Sequence, residues 1–126
     1  MSREKIKERM DYLLGDKLSK TLFGWDITLI TPNASNTMKS YSLKALVEAF
    51  DDEYLKNNTV YNEDSKIVKI FLEDIELLRT QGNQISLGSL KENKSTIKVD
   101  NKVYSIMGES LQGNRRIYVF KCNRTT

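Results

Sequence analysis

The chain has 126 residues, no histidine and one cysteine, and a formal net charge of +3. That length fits one domain, 1–126, able to bury a core without metal or disulfide support. The missing histidine removes the commonest neutral-pH base and metal ligand, so a Ser-His-Asp or Cys-His arrangement is excluded. A lone cysteine rules out an internal disulfide and a thiolate zinc site, and a reducing compartment is the expectation.

The chain opens "MSREKIKERM", charged at once and without the apolar run of a secretory signal. Its longest apolar runs, "LVEAF" and "IVKIFL", are far below a membrane span. With Ser2 as cap, Ile6, Met10, Leu13, Leu14 and Leu18 fall on one helical face and Leu22 continues it. The first predicted element is therefore an amphipathic helix over about 3–22. A barrel or a neighbouring copy has to cover its apolar face.

"GWDITLIT" alternates as a strand does, Pro32 stops it, and "PNASNTMKS" carries the small polar residues of a loop. Trp25 opens this strand, where it serves as a partner's anchor or as a seal between helix and sheet. "SLKALVEAFDDEYLK" supports two readings. Leu43, Leu46, Val47, Phe50 and Tyr54 fit a helix capped by Ser42, whereas Leu43, Ala45, Val47 and Ala49 line one face of a strand. Local periodicity favours the helix.

A polar stretch over Asn57 to Asp64 leads to "KIVKIFLE", a strand rich in β-branched and aromatic residues, and "DIELL" reads as one short helical turn. "STIKVDNKVYSI" is a β-hairpin turning at Asp100-Asn101, two residues that tolerate positive φ. "GESLQGNRR" reads as a mobile loop. "RRIYVFKC" is the closing strand, with Ile117, Val119 and Lys121 on one face and Tyr118, Phe120 and Cys122 on the other.

Carboxylates are the catalytic option left, in two clusters: Asp51, Asp52 and Glu53, then Glu73, Asp74 and Glu76. No set of partner roles accompanies them, no glycine-rich phosphate loop is present, and clusters of this kind are ordinarily solvated turns. We expect no enzyme activity and no cofactor or metal. The charge is unevenly spread: residues 48–76 hold nine acidic and three basic side chains, and residues 77–126 hold nine basic and three acidic. Opposed patches of that kind fix register between copies of one chain. The candidate interface residues are Arg115, Arg116, Lys98 and Lys102 on the basic side and Asp51, Asp52 and Glu53 on the acidic side. A second reading uses the same basic half: Lys91, Lys94, Lys98, Lys102, Arg115, Arg116, Lys121 and Arg124 interleave with Tyr104, Tyr118 and Phe120. A small barrel with those residues on one face binds single-stranded nucleic acid by stacking and phosphate contact.

Taken in order, "DITLIT", "KALVEAFDD", "KIFLEDIELL", "STIKVDNKVYSI" and "RRIYVFKC" resemble the lambda-type phage head–tail joining, or head-completion, proteins. The resemblance runs from about Glu4 to Lys121 and rests on the order of weak motifs. It implies a mainly β (α+β) fold, a small β-barrel or sandwich over about 25–122 with a packed N-terminal α-helix. It also implies that Leu43 to Phe50 is a strand, and we adopt that over the helical period. The chain departs from the family pattern in longer segments around Asn57 to Asp64 and between Ile75 and Ser95. The function implied is that of a virion protein of the neck, assembled in the bacterial cytoplasm. It would meet the portal or adaptor ring and tail-terminator proteins and form a hexameric or dodecameric ring. DNA would pass through the lumen without sequence-specific contact, and no membrane would be involved. The loops Pro32 to Ser40 and Asn57 to Asp64 are then expected to order on assembly.

Overall fold

The computed structural model describes residues 24–32, 37–83, 85, 90, 94–112 and 116–125. The expected N-terminal helix, over about 3–22, lies outside them. Six strands form a closed antiparallel barrel: β1 (Trp25–Pro32), β2 (Met38–Ala49), β3 (Lys66–Phe71), β4 (Thr96–Val99), β5 (Lys102–Gln112) and β6 (Ile117–Arg124). Around the barrel the order is β1-β2-β3-β6-β5-β4, with β4 back against β1. Two three-stranded meanders, β1-β2-β3 and β4-β5-β6, are thus joined edge to edge along β1/β4 and β3/β6. Closure gives each of the six strands two neighbours, which limits the free edge that a chain rich in β-hairpins offers to other copies.

The register defines two ends. The upper end holds Pro32 opposite Met38 and Phe71 opposite Ile117, and the lower end holds Trp25 opposite Ala45 and Lys66 opposite both Ala49 and Cys122. Alternation then sorts the side chains. Ile27 and Leu29 of β1, Leu43 and Ala45 of β2, Val68 and Ile70 of β3, Ile97 of β4, Ile106 of β5 and Phe120 of β6 fill the interior.

β2 runs as a strand through Leu43 to Ala49, the part of the disputed segment read as strand, and the rest of that segment turns at Phe50 and Asp51 and enters a short helix. The outer face of β2 adds Leu46 to a second buried cluster with Phe71, Ile117 and Val119, joined by Ile67. Past Ala45 the strand is therefore apolar on both faces. Superposed inner and outer series give the spacing of an amphipathic helix without a helix being present.

The β4–β5 hairpin turns at Asp100-Asn101 as expected, with φ of 49° and 62° at the two residues. Two positive values in succession match the right-handed twist of the flanking strands. β4 pairs with β1, so this hairpin helps close the barrel, and the final strand β6 lies between β3 and β5. The expected loop "GESLQGNRR" is corrected over its first half: Gly108 to Gln112 continue β5 and pair with Ile117 to Lys121 of β6. A bulge at Met107 separates the two halves of β5, because Ile106 faces Cys122 while Gly108 already faces Lys121.

The described connections are held by specific contacts. Asp51 caps α1 (Asp52–Asn57), its carboxylate accepting from the Glu53 amide at 3.3 Å. Phe50 stacks on Tyr54 and Tyr61, with ring centroids 5.3 and 4.7 Å apart. The stretch Asn57 to Asp64, expected to await a partner, is instead fastened to β6. Ser65 Oγ donates to Asn123 Oδ1 at 2.5 Å, and Asn123 Nδ2 donates to the Val60 carbonyl at 2.8 Å. The expected short turn "DIELL" is a full helix, α2 (Leu72–Thr80). Its Ile75, with Ile85 and Leu90 beyond it, joins the interior cluster and covers the upper end. Ser95 Oγ donates to Thr31 Oγ1 at 2.8 Å there, a buried hydroxyl pair that satisfies both groups. Among the described residues no helix is long and apolar enough to cross a membrane.

Candidate functional site

The seven candidate interface residues do not form one surface. Asp51, Asp52 and Glu53 follow β2 at the lower end, where all three are exposed. Arg116 lies at the opposite end, exposed, and its carbonyl accepts the Leu72 amide at 2.9 Å where α2 leaves β3. Arg115 lies outside the described residues. Lys98 is exposed partway along β4, between Thr28 and Val103. Lys102 begins β5 at the lower end, so the fold brings it to the same end as the acidic trio and away from Arg116.

The division into an acidic and a basic half, clear along the chain, is partly undone by folding. Lys69 pairs with Glu48 across β2 and β3 at 3.2 Å. Lys121 donates to Tyr54 Oη at 3.1 Å and sits 5.1 Å from that ring's centroid, binding α1 to β6. The two carboxylate clusters are also parted, one at the lower end and one on α2 at the upper. Among the described residues no group of three or more metal-ligating side chains comes together.

The aromatic residues of the nucleic-acid reading point inward. Tyr104 and Phe120 are buried in the core, and Tyr118 is half-buried, stacked on Phe120 at 5.9 Å. Burial pushes the Tyr104 hydroxyl above its ordinary value, with Arg124 opposing weakly. Stacking on bases requires an open ring face, which these side chains do not offer.

What sequence reasoning missed is the lower mouth of the barrel. Interior-facing alternation along β1 runs from Leu29 through Ile27 to Trp25, and along β3 from Ile70 through Val68 to Lys66. Each strand therefore ends at the mouth on a side chain with a polar or charged tip. Trp25, Val47, Ala49, Lys66, Val99, Asp100, Lys102 and Tyr104 line a cavity of about 220 Å³ there. Its walls are apolar and aromatic, and two ammonium groups and one carboxylate stand around them. Trp25 is 48 % exposed, so the indole forms part of the opening and not of the packed core. The lining comes from five strands and a turn, and no local spacing could have assembled it. The available signal was Trp25 itself, a large aromatic beginning a strand whose next inward residues are core.

Beyond the mouth the interior is filled by buried side chains. Cys122, fully buried opposite Lys66, has its thiol pushed up by burial to about 12. It acts as a small packing residue, as its position on β6 suggested. Comparison of the chain with protein-family models, with curated proteins and with solved structures gives no match.

Proposed function

We propose that the chain is a structural connector that joins the head of a tailed phage to its tail, forming a ring in the neck and sealing the DNA-filled head. The reading rests on the ordered resemblance of its segments. The observation that supports it is β2: the resemblance implies a strand at Leu43 to Phe50 against the local helical period, and β2 is extended over Leu43 to Ala49 of that stretch. A closed barrel suits such a role because it is a rigid body that holds loops and helix faces at fixed places around a channel.

The test is the protein's location. An antibody against the chain, applied to particles from a phage or induced-prophage lysate, labels the single vertex where head meets tail. Label on no particle, with the protein left in the soluble fraction, removes the reading. Within it, reversal of both Arg115 and Arg116 to glutamate impairs ring formation or head binding while circular dichroism stays that of the wild type. Arg116 is exposed at the upper end, so its reversal leaves the core untouched. Normal joining by the double variant would take away the role given to this basic pair.

A further inference from the structure

The two ends of the barrel differ in a way that suggests what occupies the open one. At the upper end α2 turns Ile75 inward, and its exposed residues include Glu73, Glu76, Leu77 and Thr80, spaced as one helical stripe. Leu77 is 59 % exposed, the most open of the large apolar side chains described. It stands next to a carboxylate, while Arg79 is turned aside, its guanidinium donating twice to the Ile85 carbonyl at 3.1 and 2.7 Å. At the lower end the cavity offers the converse: apolar walls from Trp25, Val47 and Val99, with Lys66 and Lys102 at the rim.

We propose that α2 of one copy docks in the lower mouth of the next, with Leu77 entering the cavity and Glu76 meeting Lys102. The contact deepens the ring assembly proposed above and rests on that reading. Size supports it: about 220 Å³ is below the roughly 300–1,000 Å³ of pockets for drug-sized molecules, and suits one inserted side chain. Charge supports it, since lysines meet carboxylates around an apolar centre, the arrangement that fixes orientation between partners. The carboxylate of Asp100 also lines the cavity and opposes part of this attraction, which leaves the lining side chains with two ammonium groups against one carboxylate. Symmetry supports it as well. The two surfaces are different and at opposite ends, so the contact is heterologous, and repetition gives a ring when the rotation closes.

Trp25 is the only tryptophan of the chain and reports on the mouth directly. Two full-length variants separate the surfaces. Leu77→Arg blocks the helix and keeps the mouth. Ala49→Glu with Trp25→Phe blocks the mouth, keeps the helix and is silent in tryptophan fluorescence. Ala49 and Leu77 are both exposed, so neither change disturbs the core. In sedimentation up to millimolar concentration the wild type associates, each variant alone stays monomeric, and their equimolar mixture stops at a dimer. In that mixture Trp25 emission moves to the blue and acrylamide quenching falls. Lys102→Glu weakens association of the otherwise wild-type chain by about ten-fold, and Glu76→Lys on the facing copy restores it.

A mixture that remains monomeric overturns the proposal, as does wild-type association that survives both blocking variants. A blue shift in the wild type that follows an added small anion at constant mass does so too, since the occupant is then a ligand and not a copy. Failure here with label still found at the neck overturns this contact alone. Complementation with no label on particles overturns the connector reading and leaves the contact standing.

Discussion

Cys122 shows how the interior acts on a single side chain. Its thiol lies 3.7 Å from the Phe120 carbonyl, and burial moves it from 9.0 to about 12. Between those values the folded chain keeps a proton that the unfolded chain releases. Stability contributed by the buried thiol is therefore whole below pH 9.0 and is lost as pH rises toward about 12, by about 1.4 kcal/mol per pH unit in that window. Tyr61 and Tyr104, both raised chiefly by burial, act in the same direction from an ordinary value of 10.0. Urea unfolding at a series of pH values shows the fall, and Cys122→Ala lessens its slope in the first unit above pH 9, before the tyrosines dominate. Equal slopes in the two proteins would show that the thiol is not buried as described. Native Cys122 also resists thiol reagents at pH 8 and reacts once the chain is unfolded.

At the scale of elements, the barrel depends on what its strands share with the pieces beside them. α2 has one buried residue, Ile75, which is wholly enclosed in the interior cluster. Ile75→Ala costs about 2–5 kcal/mol and frees the helix from the upper end. The check is a lowered denaturation midpoint together with faster amide exchange over 72–80. A loss confined to a few tenths of a kcal/mol would mean that the helix is held by other contacts. The same elements mark how far the sequence could be read. β1 and the Asp100-Asn101 hairpin were legible because one has a single inward face and the other a turn that needs positive φ, and β3 and β6, buried on both faces, were legible as short runs of β-branched and aromatic residues. β2 was ambiguous because Leu46 packs outside while Leu43 and Ala45 pack inside, and two buried faces erase the period of two. Gly108 to Gln112 read as loop because glycine, serine and glutamine are poor strand formers, and pairing with β6 overrides that tendency. The mouth was illegible in principle, since Trp25, Lys66 and Lys102 meet only after the sheet closes.

For the whole molecule, closure joins residues far apart in the chain: Ile27 pairs with Val99, and Phe71 with Ile117. Such contacts form only after long loops are closed, which places the folding rate in the millisecond-to-second range typical of non-local β topologies. The arrangement also makes β6 indispensable, because among the described residues it joins β3 to β5. A chain ending at Arg116 loses Phe120 from the core and opens two long edges at once. It is expected to give no cooperative unfolding transition and to aggregate, seen by circular dichroism and light scattering. A folded, monomeric product would contradict the closed topology.

The bulge in β5 has a consequence for which changes of length the gene can accept. Within a strand, removing one residue ordinarily turns every later side chain to the wrong face. Met107 is the exception: inward positions are even-numbered up to Ile106 and odd-numbered from Glu109, which lies opposite Phe120. Its deletion would join two halves already in phase and leave a regular strand. We expect the Met107 deletion to fold, and deletion of Val119, within β6 where its pairing with β3 is regular, not to. Soluble yield and thermal unfolding of the two proteins distinguish them, and equal behaviour would contradict the register assigned here. An insertion that became part of the architecture would leave just such a mark, a strand that can be shortened by one residue at its bulge while its regular partner cannot.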